Sequence, residues 1–564
     1  MQARDYAAVS SRAVDPSEPI DGLRPTSDTD TARSQISNPV SNKGIPVVVN
    51  EPDDVYAWVR ANHCEHGVID AVAGSGKTTM LLGAMQHLPP TAQCLVLAFN
   101  CATIDEIKRR IDDMGDSIVC THRVSTLNAI GQDIHCSLHP DAQFDENKTE
   151  KFTIQYIQQH PDKLQCLNVT GTQLLNLCVN LIHVTRAIGT RVVPIDIAPS
   201  CHQLNTRTSR YIRTCSEYQR NCLFGITNEI LEQINSEMNV IDYDEQIFMP
   251  AMLHPDAAFQ TDLTMFDWIL VDECQDLTQV QRILLKRIAL PETRILGSGD
   301  QLQSIYSFRG ADADSLLQMI HELDARRFIM STTHRCAIAV VNLAQQFVSS
   351  ICPHASAPDG HAGIIMQPKV PLPIPEPTCA GIPVTTFNLA SVLKPGDLVV
   401  ARYNASILSM ALQVMLVRKS TTTAPLQIPM AQLLWPGFAS RLASLIGTIE
   451  AAHPIEIPHS GFVTTVILPA AAHMMKATPV SRYKRKGMDA SDYVKDMDTR
   501  EITQRRELAK TLLTICHALH QHAITKAQLL GCLDELFVND TVNPVDIVIM
   551  STIHSAKGRQ GQRV

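Results

Sequence analysis

A short glycine-containing segment places the strongest constraint on how this chain can fold. Residues 71–79 read AVAGSGKTT, between the apolar run Val68–Val72 and a helical pattern, MLLGAM. Small residues such as this GSG triplet let backbone N–H groups turn inward around phosphates. Lys77 would neutralise the β- and γ-phosphates of a nucleotide, and the Thr78 hydroxyl would bind Mg²⁺. The alternative, a glycine-rich strand–helix turn with an incidental lysine, is disfavoured because strand, turn, Lys-Thr pair and helix all agree. The residues predicted to surround the nucleotide are Ala73, Gly74, Ser75, Gly76, Lys77, Thr78 and Thr79.

Further short apolar runs along the chain indicate the fold class. They are Leu95–Phe99, Trp268–Val271, Ile295–Leu296, Leu398–Val400 and Ile547–Met550. Continuous apolar runs of this length suit strands buried on both faces, so we predict an α/β protein with parallel sheets. Two long stretches, from about His135 to Thr261 and from about Ser440 to Asn539, have mainly helical spacing instead. The first residues, up to about Lys43, lack apolar periodicity and are predicted to be a disordered tail.

Two adjacent carboxylates follow one of these predicted strands. Phe266–Asp276 reads FDWILVDECQD, which puts Asp272 and Glu273 at the carboxyl end of a strand, where α/β sheets bind ligands. Asp272 can hold Mg²⁺, and Glu273 can orient or deprotonate an attacking water. An acidic pair in this position can also simply begin a helix. The phosphate loop upstream favours the functional interpretation.

A polar segment with aromatic residues comes next. Gly297–Asp312 reads GSGDQLQSIYSFRGAD, in which Tyr306 and Phe308 stand beside Arg309. Aromatic side chains beside an arginine suit base stacking. The alternative for this segment alone is a hydrophobic staple with a surface arginine.

Charge and composition narrow the class of protein. The net charge of −9 excludes a wholly basic nucleic-acid binder but still allows a basic groove on an acidic body. No apolar run is long enough for a membrane span, and the N-terminus has no apolar signal segment. The 16 cysteines are scattered without a CxxC pair, as expected of reduced thiols. We therefore predict a soluble intracellular protein with no membrane partner, in the cytoplasm or the nucleus.

Together these segments resemble the UvrD/Rep-type DNA helicases of superfamily 1. The resemblance runs from about Pro52 onward. In the first half, AVAGSGKTT is similar to motif I, LVLAFNCATIDEIKRRI to motif Ia, VSTLNAIG to motif Ib, DECQD to motif II and GDQLQSIYSFRGA to motif III. Further along, STTHRC is similar to motif IV, DLVVARYNASIL to an RYNA-type segment of the family and MSTIHSAKGRQ to motif V. The resemblance implies two RecA-like P-loop domains with mainly helical insertions, ATP between the domains and a single strand across both. The implied boundaries are a tail at 1–44, a first RecA-like domain at 45–135 and 260–330, an insertion at 136–259, an incomplete second RecA-like domain at 331–435 and 540–564, and a second insertion at 436–539.

The resemblance also implies roles for individual residues. The implied catalytic residues are Glu273, Gln303, which senses the γ-phosphate, and Arg335, which acts as an arginine finger. For the nucleotide, the resemblance implies that His334 stacks on adenine and that Gln560 contacts ribose. Thr78 and Asp272 are the implied Mg²⁺ ligands. The implied DNA contacts are Phe99, Asn100, Thr126, Tyr306, Phe308, Arg309, Arg402, Asn404 and His554. Simple structural alternatives exist: Phe99 could belong to the core, Arg402 and Asn404 could cap a turn, and His554 could be hydrogen-bonded within the fold.

Two departures from the family pattern affect the functional prediction. EPDDVYAWV (Glu51–Val59) lacks the adenine-reading glutamine, and the sequence ends at Val564, before a motif VI, which suggests a truncated chain. We predict an ATP-dependent DNA helicase or translocase that moves 3′→5′ on single strands and unwinds duplex DNA, with other repair or replication proteins as partners. The alternatives are a helicase-like protein that binds nucleotide and DNA without unwinding, and the motor part of a helicase–nuclease.

Overall fold

The structure is a computed structural model. It describes residues 51–61, 65–194, 197, 204–253, 266–305, 314–360, 393–401, 404–420, 430–433, 438–451, 508–516, 526–537 and 547–552. The predicted tail at 1–44 lies outside the described residues.

A parallel sheet of six strands forms the centre of the N-terminal half. The strands in this half are β1 (Gly67–Ala71), β2 (Gln93–Leu97), β3 (Thr121–Ser125), β4 (Gln143–Phe144), β5 (Val240–Ile241), β6 (Trp268–Val271), β7 (Arg294–Gly299) and β8 (Arg326–Met330). The six-stranded sheet has the order β3-β2-β6-β7-β1-β8, and β4 pairs separately with β5. All five strand pairings of the large sheet are parallel, which confirms the predicted α/β class.

The strands that the apolar runs did not reveal lie at the two edges of this sheet. The edge strand β3 begins with the exposed residues Thr121 and His122, and the other edge strand β8 begins with the exposed Arg326 and Arg327. An edge strand needs fewer apolar residues because part of it faces water, so it gives no continuous apolar run. The predicted run Leu95–Phe99 extends beyond its strand, because β2 ends at Leu97, two residues before Phe99.

Helices cover both faces of the sheet. The helices of this half are α1 (Pro52–Arg60), α2 (Lys77–Met85), α3 (Cys101–Met114), α4 (Leu127–Leu138), α5 (Lys148–Gln159), α6 (Asp162–Leu167), α7 (Gly171–Ile188), α8 (Thr206–Thr214), α9 (Glu217–Ser236), α10 (Glu245–Phe248), α11 (Gln279–Ile288), α12 (Ser315–Glu322) and α13 (Ile338–Ala344). One face packs against α1, α2 and α3. The other packs against α4, α10, α11 and α12. Neighbouring strand residues such as Ile69 and Val68 belong to opposite faces, so both faces of the strands are buried.

The helices α5 to α9 build a separate core, and a buried charge cluster connects it to the sheet side. Lys148 Nζ and Arg186 Nη2 each lie 2.9 Å from Glu245 Oε1, and Arg186 Nη1 lies 3.2 Å from Asp242 Oδ2. All four side chains are buried. Glu245 belongs to α10, which packs against α4 and α11. The cluster therefore connects the core of α5 to α9 with the helices that cover one face of the sheet.

A second, smaller parallel sheet lies in the C-terminal half. Its strands are β11 (Leu398–Ala401), β12 (Met430–Leu433) and β13 (Ile547–Thr552), in the order β11-β13-β12, while β9 (Thr332–Thr333) pairs with β10 (Cys352–Pro353). The helices here are α14 (Asn404–Ser420), α15 (Phe438–Ala451), α16 (508–516) and α17 (Lys526–Leu536). These helices share one hydrophobic core with the sheet, and the division of this half into a RecA-like domain and an insertion stays a prediction. None of the helices in the described ranges is long and apolar enough to cross a bilayer.

Candidate nucleotide-binding site

Most of the predicted site residues that the structure describes lie at one edge of the six-stranded sheet. The strands are parallel, so their carboxyl ends all meet at this edge. The phosphate loop follows β1, the pair Asp272 and Glu273 follows β6, and Gln303 follows β7. Phe99 and Asn100 follow β2, Thr126 follows β3, and His334 and Arg335 follow β8 and β9.

The phosphate loop, residues 72–76, turns sharply between β1 and α2. Gly74 has φ 75° and Gly76 has φ 88°, a left-handed backbone that glycine adopts without strain. Gly76 is also the N-cap of α2, so the first free N–H groups of the helix face the loop. The Lys77 side chain folds back, with Nζ 3.4 Å from the carbonyl oxygens of both Ala71 and Val72. The loop therefore places the N-terminus of α2 beside the ammonium group of Lys77.

Asp272 links the phosphate loop to the acid pair. Thr78 Oγ1 donates to Asp272 Oδ2 at 2.7 Å, and Ser298 Oγ donates to Oδ1 at 2.9 Å. Burial raises the pKa of this carboxyl, the Glu273 charge raises it further, and the two hydroxyl donors lower it. Oxygen donors of this kind are the ligands that Mg²⁺ prefers. The contact joins residues that are 194 positions apart, and it places both predicted metal ligands side by side.

Glu273 stands in an unusual backbone conformation. Its φ is 56°, in the left-handed region, which costs a non-glycine residue about 1–2 kcal/mol. Its carboxylate accepts a hydrogen bond from Gln275 Nε2. Such strain persists only where the surrounding structure holds it, and it concentrates at functional sites.

Asp300, at the end of β7, brings Lys77 and Gln303 together. Gln303 Nε2 donates to Asp300 Oδ2 at 2.8 Å, and Lys77 Nζ lies 4.0 Å from the same oxygen. The backbone N–H of Leu302 donates to Oδ1 at 3.1 Å. Burial raises the pKa of Asp300, whereas the charge of Lys77 lowers it.

The segment after β8 runs directly against the phosphate loop. The backbone N–H of His334 donates to the carbonyl oxygen of Gly74 at 2.8 Å. A Cβ atom on Gly74 would lie 2.6 Å from both Arg335 Cβ and Thr333 Oγ1. The side chains of His334 and Arg335 are themselves exposed, and the His334 ring lies 4.4 Å from that of His354.

The predicted DNA contacts in the described ranges have local structural roles as well. Asn100 Oδ1 accepts the N–H of Thr103 at 2.9 Å as the N-cap of α3, and Thr126 Oγ1 accepts the N–H of Ala129 at 3.1 Å as the N-cap of α4. Phe99 is half-buried, and Asn404 is exposed in the first turn of α14. The predicted residues outside the described residues are Tyr306, Phe308, Arg309, Arg402, His554 and Gln560.

Three residues of the site were not predicted individually. They are Ser298, Gln275 and Asp300, which contact Asp272, Glu273 and Gln303 respectively. All three stand inside the segments DECQD and GSGDQ, so their position in those motifs was the available signal. The contact of Ser298 with Asp272 follows from the pairing of β6 with β7, which the sequence alone does not reveal, whereas the contacts of Gln275 and Asp300 join residues two and three positions apart.

Comparison with known proteins shows which family the residues around this site resemble. The family model described as the UvrD/REP helicase N-terminal domain matches residues 57–324. The ATP-dependent DNA helicase Rep of Escherichia coli is 32% identical over 271 residues, which are 46% of this chain and 37% of that protein. The protein of the same name from Buchnera aphidicola is 30% identical over 115 residues, 20% of this chain and 17% of the relative. The ATP-dependent DNA helicase srs2 of Schizosaccharomyces pombe is 35% identical over 82 residues, 14% of this chain and 9% of the relative.

These matches cover less than two fifths of the length of each of these relatives. The region 57–324 contains the phosphate loop, the acid pair and Gln303, which are the elements that meet at the sheet edge. Residues 57–324 therefore match the N-terminal domain of the UvrD/REP helicases, and this part of the chain is similar to the Rep helicases of superfamily 1.

Proposed function

We propose that this protein is an ATP-dependent DNA helicase or translocase that moves 3′→5′ on single-stranded DNA and unwinds duplexes. The observation that carries the proposal is the hydrogen bond between Thr78 and Asp272, which brings the phosphate loop and the acid pair into one site. Lys77 and Gln303 meet at Asp300 beside them. The names of the relatives, which are ATP-dependent DNA helicases, support ATP and DNA as substrates.

The residues of the phosphate loop and the acid pair suit the binding of magnesium and a nucleoside triphosphate. Thr78 and Asp272 would hold Mg²⁺, which supplies charge neutralisation at the phosphates when bound. The hydroxyls of Ser75 and Thr333 are buried and have no hydrogen-bond partner among the described residues. Since buried hydroxyls are normally paired, these two groups beside Gly74 support a polar ligand at the loop.

Different residues of the site would bind the phosphates, accept a proton and sense the terminal phosphate during ATP hydrolysis. Lys77 and the N–H groups at the start of α2 bind the phosphates, and Glu273 accepts the proton of the attacking water. Gln303 leaves Asp300 to contact the terminal phosphate, so the side chain responds to whether that phosphate is present. Arg335, next to the loop, adds positive charge to the same region. Closure and reopening around each nucleotide would move the bound strand by one step.

Paired substitutions at Lys77 and Glu273 test this proposal. Lys77→Ala should abolish nucleotide binding and turnover, whereas Glu273→Gln should bind ATP but hydrolyse it at least about 100-fold more slowly. The measurements are ATP hydrolysis with and without single-stranded DNA, and displacement of a strand from duplexes with a 3′ or a 5′ tail. Lys151→Ala and Glu232→Gln are matched controls, because both side chains are exposed on helices of the α5–α9 region.

Undiminished DNA-stimulated hydrolysis in Glu273→Gln would contradict its assignment as the base. Nucleotide and DNA binding without turnover in the wild-type chain would favour the binding-only alternative. Displacement only from 5′-tailed duplexes would overturn the proposed direction.

A further inference from the structure

The side chain of Gln275 lies fully buried between the ends of β6 and β7. Its Oε1 accepts the backbone N–H of Asp300 at 3.0 Å, and its Nε2 donates to Glu273 Oε2. A backbone N–H can only donate, so this contact fixes the amide with its oxygen toward β7 and its NH₂ group toward Glu273. One side chain therefore joins the candidate base to the neighbouring strand.

The backbone of β7 leaves space for this amide. A Cβ atom on Gly299 would lie 2.6 Å from Gln275 Oε1 and 3.2 Å from the backbone nitrogen of Gln275. Any residue other than glycine at this position would push the amide away. In addition, Ser304 Oγ donates to the carbonyl oxygen of Gln275 at 3.3 Å, so the residue is bonded to β7 and its following turn through main chain and side chain.

At the β7 end of this connection, the hydrogen-bond and charge partners of Asp300 depend on whether a phosphate is bound. Asp300, whose N–H is bonded to Gln275, also accepts Gln303 Nε2 and faces Lys77 Nζ through its carboxylate. An anionic phosphate at the mouth of the loop would compete with Asp300 for both groups. Nucleotide binding therefore changes the partners of the same residue that holds the Gln275 amide.

We propose that Gln275 is a positioning residue that transmits nucleotide occupancy from Asp300 to Glu273. The path runs from Lys77 and Gln303 through Asp300 to the Gln275 amide and ends at the Glu273 carboxylate. Gln275 itself contacts neither phosphate nor water in this scheme, since it acts through Glu273. The inference deepens the proposed function and rests on it, because it assumes that Glu273 is the base and that the loop binds ATP.

Two substitutions break this connection from opposite sides. Gln275→Met keeps the approximate size of the side chain but removes the donor and the acceptor. Gly299→Ala changes none of the functional residues, but its Cβ would displace the Gln275 amide by steric overlap at 2.6 Å and would also contact Leu316 Cδ1 at 2.9 Å. Gln432→Met is the matched control, because Gln432 is a buried glutamine on β12 of the other sheet.

The readouts separate positioning from simple damage to the fold. Both variants should lower kcat for DNA-stimulated ATP hydrolysis by about 10- to 100-fold, as expected when a supporting contact of a reacting group is lost. KM for ATP and Kd for a non-hydrolysable ATP analogue should stay within about threefold of wild type, because the phosphate contacts remain. In wild type, the analogue should slow amide hydrogen exchange in both 71–79 and 272–277. In the two variants only the protection of 71–79 should remain, and both variants should still unfold in one cooperative transition, as Gln432→Met does.

Each outcome bears on the proposal. Wild-type kcat and wild-type protection of 272–277 in both variants would overturn it. Analogue binding that weakens in step with kcat would also overturn it, because Gln275 would then only maintain the site. If wild type hydrolyses no ATP but the analogue protects 272–277 in a Gln275-dependent way, the proposed function fails while the connection stands. If wild type binds no analogue, both are overturned.

Discussion

Replacing Gly74 by alanine should weaken nucleotide binding far more than it weakens the fold. Gly74 lies in the phosphate loop with φ 75°, and its carbonyl oxygen accepts the N–H of His334. An added Cβ would come within 2.6 Å of Arg335 Cβ and Thr333 Oγ1. The Thr333 hydroxyl can rotate away, but Arg335 Cβ is fixed to the backbone, so the loop and the segment after β9 must separate.

The magnitude follows from two contributions. The left-handed backbone costs alanine about 1–2 kcal/mol. Relief of the overlap breaks the hydrogen bond between Gly74 and His334, which costs about 0.5–1.5 kcal/mol. The total is about 1.5–3.5 kcal/mol, and since a nucleotide needs the original loop conformation, its Kd should rise by roughly 10- to 400-fold.

Two other glycines separate these contributions. Gly115 has φ 51° and ψ −134°, with nothing within 4 Å of an added Cβ, so Gly115→Ala should cost only backbone strain, about 1–3 kcal/mol. Gly225 lies within α9 with open space around it, so Gly225→Ala should stabilise the protein by about 0.5–1 kcal/mol. Neither control should change the affinity for nucleotide.

The assay uses two native probes. Trp58 and Trp268, two of the three tryptophans, are buried in the core of the six-stranded sheet, so in a Trp435→Phe background tryptophan fluorescence during urea unfolding follows this region. Titration with a fluorescent ATP analogue gives Kd. A Gly74→Ala variant that binds the analogue as wild type does, while Gly115→Ala shows its expected loss of stability, would refute the steric argument.

The remaining predictions concern the region of α5 to α10. Glu245→Ala leaves the buried Lys148 and Arg186 without their shared carboxylate, so the free energy of unfolding of this region should fall by about 3–5 kcal/mol; a loss below about 1 kcal/mol by urea unfolding followed by circular dichroism would contradict the buried cluster. The Asp244 carboxylate raises the pKa of His183, so this pair stabilises the folded state fully below about pH 6.5 and loses its effect as the pH rises through the higher folded-state value. The difference in stability between wild type and His183→Gln should therefore shrink, by less than about 1 kcal/mol for this partly exposed pair, between pH 6 and pH 9. A difference that is independent of pH would rule out the ionised pair.

Much of the sheet could be predicted because its internal strands are buried on both faces. Trp268–Val271 is fully buried and stands out as an apolar run, and the predicted strand has the bounds that the structure gives it. The edge strands β3 and β8 could not be recognised in the same way, since their exposed first residues interrupt the apolar pattern. The roles of the described site residues and of those outside the described ranges stay predictions.

The amino-acid sequence alone reveals which chemical groups this protein carries and where each lies relative to a strand end. The phosphate loop, the pair Asp272 and Glu273, and Gln303 are all readable because local backbone requirements and short motifs fix them. Which of these groups are in contact depends on the order of the strands in the folded sheet. The strand order places β6 and β7 side by side next to β1, so Thr78 meets Asp272 and the Gln275 amide bridges to Asp300. The physical reason is that strand order and register arise from packing across the whole sheet, and no single segment contains that information.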